Sequence, residues 1–584
     1  MKTIKSTLEW PILKYFFMAL LLITFSCSDD DPEPEPEQIV EEEEPEEETP
    51  DAVTYTVSEI GTGAALNGAN GLDIGPDGNL YVGSVIGLNI TVMDPENGEI
   101  SQRLEQDMQV KGPDDVVFGP DGSLYWTDIL VGEVGRMKPD GTITKQFVAP
   151  GVNPIAFSDE GRLFVALCFL DDGLYELDPD LIEPPRPIIT STEANPFPLG
   201  FLNAFDFGPD GRIYGPLFAA GLVVSVDVDR AGDPASDPFA DGSVQVLSGG
   251  YFNPASAKFD ADGMLTVVDQ TGEVFKIDIE SGASTLFATL DTGLDNMTFD
   301  EDGRLYMTNN DQGWVGELLP SGALRIISQG GLIGPQGLGF LEGAGNEDKL
   351  FVADQYEIRQ LDRNSGTEEN SYKASILPGV PEVGVATLNT AMGLTSDGDD
   401  LIISSWFSST VQVWNPQEGV TESYDMNTEA AVGAPIDAVR LNDEIIVSDV
   451  GIGGVVRASD KSMILPIDNA TVFAPSGLAT DGETLWVADW GTGIVWQIDF
   501  DGNTPSAPTP IAQDLLFPEG LAFDNDGGLL VVETGAGRLS RIELATGEVT
   551  EIAGGLEFFG KPGIEGAPPT WGFEGVTVAP SGDI

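Results

Sequence analysis

The chain has no histidine in 584 residues. That excludes Ser-His-Asp and Cys-His catalysis, His-ligated zinc and any imidazole base. Chemistry is left to carboxylates, amides, Tyr, Lys and hydroxyls. Cysteine is nearly absent too. The two present, Cys27 and Cys168, do not suggest a disulfide framework. Cys168 lies in the apolar run LFVALCFL and reads as a small buried hydrophobe. Basic residues are scarce: 26 Lys and Arg stand against 97 Asp and Glu, a net charge of -71. Nucleic acid is therefore excluded as a partner, because phosphate binding needs basic patches. Such acidity suits solubility and divalent cations. No convincing amphipathic helix is found between the apolar runs.

What is present is a repeated unit. Gly71–Gly83 reads GLDIGPDGNLYVG: an apolar run, a Pro-Asp-Gly turn, and a second apolar run with an aromatic. The pattern recurs at Val116–Thr127, Ala204–Gly215, Met297–Thr308, Leu478–Asp489 and Leu521–Glu533. Asp77, Asp121 and Asp210 are read as turn residues, with Pro fixing φ and Gly accepting positive φ. The 71 glycines and 40 prolines fit many short strands and turns. The period is roughly 40 residues, with four short strands per unit, as in propeller blades. Units begin near Asn70, Asp114, Asn153, Asn203, Asn253, Asp295, Gln336, Met392, Asp437, Ser476, Glu519 and Glu574. A twelve-bladed ring lies outside the usual four to eight blades, so two six-bladed rings are expected.

The expected organisation is all-β. A lipoprotein signal peptide covers 1–27 and a disordered acidic linker 28–52; two tandem six-bladed β-propellers follow, at 53–329 and 330–584. Thr54–Ile60 is read as an outer strand closing ring one, and Leu324–Ser328 as its counterpart for ring two. The Gly-rich stretch Gln329–Gly334 reads as a short hinge. The last unit reaches only Gly575–Ile584, so by analogy with the others it lacks about two strands. Either the chain is a piece of a longer one, or ring two closes imperfectly.

Lys2, Lys5 and Lys14 precede the apolar run Tyr15–Phe25, which has signal-peptide length. Thr24–Cys27 resembles a bacterial lipobox, although Thr24 stands where Leu is usual. Lipid on Cys27 would anchor the protein by hydrocarbon burial. An ordinary secretory leader is the alternative. The run SDDDPEPEPEQIVEEEEPEEETPD cannot bury apolar surface and reads as a solvated stem. Acidic residues directly after the Cys resemble the export signal of some Gram-negative surface lipoproteins, which implies an outer membrane location facing the medium.

The repeats GLDIGPDGNLYVG and GLAFDNDGGLLVVE, and above all LNAFDFGPDGRIYGP at Leu202–Pro216, resemble the NHL-repeat and senescence-marker/gluconolactonase superfamily of six-bladed propellers. In the gluconolactonase group the resemblance implies a divalent metal, often calcium, at one channel mouth, held by Glu, Asn and Asp, with acidic residues assisting lactone hydrolysis. Virginiamycin-lyase-like and paraoxonase-like relatives depend on His, which this chain lacks.

Equivalent blade positions meet at a propeller's axis, so one residue per unit forms a ring. The residue four places before the apolar anchor (Phe118 in unit two) gives Asn70, Asp114, Asn153, Asn203, Ala255 and Asp295 in ring one. These oxygen-bearing side chains suit a hard cation such as calcium. In ring two it gives Gln336, Met392, Asp437, Ser476, Glu519 and Glu574. The expected metal ligands are Asn70, Asp114, Asn153, Asn203 and Asp295, and more weakly Asp437, Glu519 and Glu574. The catalytic candidates are Asp114 and Asp295, activating water on the metal. Asn203, Asn70-Gly71 and Asp114 match the family pattern, but ring one has no Glu at this position. Asn and Asp before a strand also cap loops through Asx-turns. Two functions follow. One is a surface lipoprotein that binds a small molecule, glycan or protein at its channel mouths, with or without a metal. The other is a calcium-dependent lactonase acting on a small cyclic ester.

Overall fold

The computed structural model describes residues 55–584 apart from 231, 342–348, 376–387, 426–431, 469–470, 559–567 and 569–571. The expected lipidation at Cys27 and the acidic stem lie outside the described residues. Among them, no helix is long and apolar enough to cross a membrane.

The fold is all-β. Among the described residues, eleven four-stranded antiparallel sheets follow one another along the chain. We number them as blades 1 to 11: 72–104, 113–147, 152–190, 206–249, 254–289, 294–328, 338–373, 393–424, 435–466, 475–512 and 518–554. The repeat explains each blade. Alternating apolar residues give strands with two faces, and both faces are buried against neighbouring blades. The turn after the first strand places glycine at positive φ: Gly78 has φ 80° and Gly122 φ 78°. Asp77 and Asp121 cap these turns, accepting from the backbone N–H of Asn79 (3.2 Å) and Ser123 (3.0 Å).

Blades 1 to 6 form a ring, since the inner strand of blade 1 (Leu72–Ile74) packs against that of blade 6 (Leu294–Phe299). Closure rests on nine buried apolar residues, including Leu72, Leu80, Tyr306 and Val315. Fully burying one large apolar side chain contributes roughly 1.5–3 kcal/mol. The Thr308 hydroxyl also donates to the Asn70 carbonyl at 2.6 Å, a bond of about 1 kcal/mol net. Packing therefore closes the ring, and the hydrogen bond fixes its register.

The expected closing strands are corrected here. Residues 55–60 form no strand. Leu324–Ser328 is the outer strand of blade 6 itself, paired with Val315–Leu318. Each blade of ring one is thus made of consecutive strands. The hairpin loop between Leu318 and Leu324 is short enough for blade 6 to keep its own fourth strand, so none is left over for ring two.

In ring two, blades 7 to 11 follow in order, and Glu574–Val578 lies between blades 11 and 7. Gly520 N–H donates to the Glu574 carbonyl at 2.9 Å, and Gly575 N–H to that of Gln336 at 3.1 Å. Ala579 is buried with Phe340, Leu350 and Val352 of the blade 7 region.

A device absent from the sequence reading recurs at the end of the second strand. Asp128, Asp269, Asp354, Asp449 and Asp489 are buried there. Their carboxylates accept backbone N–H groups from the loop that leads into the inner strand: Lys111 to Asp128 (2.8 Å), Phe252 to Asp269 (2.8 Å), and Phe473 and Ala474 to Asp489 (both 2.9 Å). An unpaired buried N–H is costly, so these aspartates hold the loops that carry the channel-mouth residues.

The Gln329–Gly334 stretch is pinned at several points. Ile333 is fully buried, and Ile333 and Gly334 donate backbone N–H groups to Asp354. Leu332 N–H donates to the Thr62 carbonyl at 2.9 Å. Val85, Ile86, Leu88 and Ile129 of ring one pack with Ile333, Tyr356, Trp406 and Phe407. Arg359 of blade 7 is buried and donates to the Asp311 and Gly331 carbonyls of the first ring's segment at 3.0 and 3.2 Å.

Candidate functional site

Asn70, Asp114, Asn153, Asn203 and Asp295 line one cavity of about 260 Å³. It lies at the channel mouth of ring one. Gln270, Asn310 and Asp311 extend its polar floor, and Phe169, Phe218, Ile129 and Leu130 form apolar walls. Tyr356, Lys373, Phe407 and Ser408, all from ring two, complete it. These last residues follow from how the rings dock, which no repeat alignment encodes.

The inner strands are built to aim side chains here. In blades 2 and 6 the register shifts between Pro113 and Val116 and between Leu294 and Met297. Such a bulge re-aims the residues inside it. Asp114 and Asp115 therefore both serve the channel, as do Asp295 and Asn296. Asp115 and Asn296 were missed by the sequence reading, although the Asp-Asp and Asp-Asn pairs were a visible signal. They form a second layer: Asn296 Nδ2 donates to Asp115 Oδ1 at 3.1 Å, Ser256 Oγ donates to Asn296 Oδ1 at 3.0 Å, and Ile155 N–H donates to Asp115 Oδ2 at 3.1 Å.

The electrostatics are those of crowded acids. Burial first, then the charges of Asp295 and Asp115, hold Asp114 well above the ordinary carboxylate range. Burial and the charges of Asp115 and Asp311 push Asp295 up to about 7, against the hydrogen bond from Asn70. Burial raises Asp115 to about 6. The cation in the cavity is Lys373, whose ammonium pairs with Asp311 and lies 5.8 Å from the Tyr356 ring centroid.

The amides are partly committed. Asn70 Oδ1 accepts the Val85 N–H at 3.0 Å, so its Nδ2 is the group facing inward, donating to Asp295 Oδ2 (3.1 Å) and Asn310 Oδ1 (3.2 Å). Asn203 Oδ1 accepts its neighbour Ala204 N–H at 2.9 Å. Calcium takes six to eight oxygens. Toward a divalent ion, the five expected ligands offer the two carboxylates and Asn153 before any rearrangement. Among the described residues, no group of three or more acidic or cysteine side chains is spaced to hold a metal. As arranged, these five residues do not complete a calcium shell.

Ring two differs. Its next channel position is glycine in five blades of six: Gly337, Gly393, Gly477, Gly520 and Gly575. A Cβ on Gly477 would meet the Glu519 carbonyl at 2.1 Å, and one on Gly520 the Glu574 carbonyl at 2.6 Å. The inner strands thus approach too closely for side chains. The sixth position is Asp437, which corrects its placement at the mouth. Asp437 N–H donates to Ser448 Oγ at 3.2 Å and its Oδ2 accepts Leu478 N–H at 2.8 Å, as Asp115 does with Thr127 and Ile155. The true mouth residue of blade 9 is Ile436. The two-residue turn Asn442-Asp443, with both φ positive, lengthens the strand by one residue and shifts an alignment made on turns.

Glu519 and Glu574 are neighbours. Glu519 Oε2 accepts the Glu574 N–H at 2.6 Å and its Oε1 accepts Thr534 Oγ1 at 2.9 Å. Burial and the Glu574 charge push Glu519 up to about 8. Glu519, Glu574 and Asp437 line a second cavity of about 260 Å³ along the ring-two channel.

No family model and no curated protein matches the chain. Among solved structures it resembles virginiamycin B lyase from Staphylococcus aureus with quinupristin (13% identity, 49% of this chain and 91% of that one, TM-score 0.34). It also resembles XC5397 from Xanthomonas campestris, described as a gluconolactonase (15% identity, 42% and 84%, TM-score 0.33). The extracellular domain of BT4673 from B. thetaiotaomicron, described as a one-component system, covers more of the chain (12% identity, 83% and 71%, TM-score 0.30).

Proposed function

We propose that the protein is an exported, Cys27-anchored lipoprotein of the outer membrane surface, and that it binds a small polar organic molecule in the cavity between its two rings. The observation that carries this reading is the composition of that cavity. Its polar floor comes from all six blades of ring one, and its roof from Tyr356, Lys373 and Phe407 of ring two. Apolar walls with a few convergent polar groups are what small-molecule sites present. The test is a small-molecule screen on the full chain by ligand-observed NMR, repeated on Leu170→Trp. Leu170 lines the cavity and is 55% exposed, so the larger side chain narrows the entrance without entering the core. Hits lost in Leu170→Trp support the reading. Hits that bind the variant equally well would remove the cavity as the working site.

The second reading is a calcium-dependent hydrolase of lactones, with Asp114 or Asp295 as the acidic group. It is favoured by these two buried acids lining one mouth, close enough for the Asp295 charge to raise Asp114. It requires Asn70 and Asn203 to turn their amide oxygens inward. A calorimetric calcium titration decides: one saturable ion, lost in Asp114→Ala, supports it, and no heat at millimolar calcium rejects it.

A further inference from the structure

The ring-one cavity holds buried acceptors with nothing to accept. Gln270, 7% exposed, lines the cavity and its Oε1 has no hydrogen-bond partner among the described residues. Asp311, 1% exposed, has one oxygen paired with Lys373, and its Oδ1 has no hydrogen-bond partner among the described residues. Leaving such a buried acceptor unpaired costs about 1–3 kcal/mol. The cavity also brings three carboxyl groups, Asp114, Asp295 and Asp311, together with one ammonium, Lys373, and a bound cation would relieve the crowding that raises Asp114 and Asp295. A ligand that donates hydrogen bonds and carries positive charge answers both deficits. The metal ion, the other cation considered, is poorly served, because Asn70 turns its NH₂ group inward.

The molecule already contains a small version of the answer. The Lys373 ammonium sits between the Asp311 carboxylate and the Tyr356 ring, a cation–π and ion-pair arrangement. The Asp114–Asp295 side offers the same chemistry, carboxylates lining the cavity with the aromatic walls Phe169 and Phe218; Lys373, paired with Asp311, acts on Asp295 through its charge. The net charge of -71 would steer cations to the surface.

We infer that the cavity takes a small primary or secondary organic ammonium ion, its N–H groups donating to Asp114, Asp295 and Gln270 and its carbon frame lying on the aromatic walls. This inference rests on the binding reading above. The test uses three probes of similar shape on the full chain by calorimetry: phenethylammonium, 2-phenylethanol and phenyltrimethylammonium. The first has charge and N–H donors, the second lacks charge, and the third lacks donors. The expected result is that phenethylammonium binds at least tenfold tighter than either analogue, and that Asp114→Asn and Asp295→Asn each weaken it at least tenfold. Near-UV circular dichroism checks that both variants remain folded. Equal binding of 2-phenylethanol or phenyltrimethylammonium overturns the ligand class. If that binding is lost in Leu170→Trp, the cavity reading survives. No binding by phenethylammonium at millimolar concentration also overturns the class, and the small-molecule screen then decides the cavity separately. Phenethylammonium binding undiminished in both Asn variants and in Leu170→Trp overturns both.

Discussion

Replacing Glu519 by Gln should stabilise the protein at alkaline pH. Glu519 is 1% exposed, and its pKa is raised from 4.5 to about 8 chiefly by burial. In the folded state it holds its proton through neutral pH, whereas in the unfolded chain it gives it up near 4.5. A folded pKa above the unfolded one means that the group's favourable contribution is complete below about 4.5 and is lost as pH rises through about 8. The gap of about 3.5 pH units at 1.36 kcal/mol each sets an upper bound of about 5 kcal/mol at pH 9. Relaxation and water entry reduce this, and about 2–3 kcal/mol is the working expectation. Glutamine is neutral and can keep both contacts: its carbonyl accepts the Glu574 N–H, and its NH₂ can donate to Thr534 Oγ1 once that hydroxyl turns its hydrogen to the Phe517 carbonyl. Urea unfolding at pH 5, 7 and 9 measures the effect. The variant should match the parent at pH 5 and exceed it at pH 9, so the parent's decline with pH is flattened. A variant equally sensitive to pH, or weaker than the parent at pH 9, would show that Glu519 is not a buried neutral acid.

Asp115→Ala removes the acceptor for Ile155 N–H, Val116 N–H and Asn296 Nδ2, and should cost about 2–4 kcal/mol in the same urea assay. Gly477→Ala places a Cβ 2.1 Å from the Glu519 carbonyl. It should lower the melting temperature by an amount equivalent to about 2 kcal/mol or more, as overpacking does, whereas Gly502→Ala, with open space around it, should cost about 1 kcal/mol from its positive φ. Lys373→Met leaves Asp311 buried without its cation and should destabilise by about 3–5 kcal/mol. The double change Lys373→Met with Asp311→Leu should recover most of it.

The repeat was legible because each blade spells out its own turn and strands. Pro-Asp-Gly and the alternation around it need no distant partner to be read. Ring closure was less so: assigning Leu324–Ser328 to ring two assumed a strand exchange that local hairpin pairing makes unnecessary. The mouth positions Asn70, Asp114, Asn153, Asn203 and Asp295 could be found because every inner strand of ring one keeps the same distance from its turn. Asp437 broke that rule through a shorter turn, and pattern alone could not show it. Asp115 and Asn296 were hidden by the bulge, since strict alternation sends the residue after a channel-facing one to the other face. Tyr356, Lys373 and Phe407 were hidden for a different reason. They reach the site through the docking of two rings, and sequence periodicity describes one ring at a time.

That shared wall makes the seam between the rings a thermodynamic partner of whatever fills the cavity. A molecule touching both Asp295 and Lys373 is held in full only by the docked pair, so occupancy and docking draw on the same free energy. At a ligand concentration one hundred times Kd, occupancy would tighten the docked form by about 2.7 kcal/mol. By the same reciprocity, anything that pries the rings apart would release the ligand. For a chain expected to be tethered at one end, the seam would then report occupancy as resistance to being pulled open.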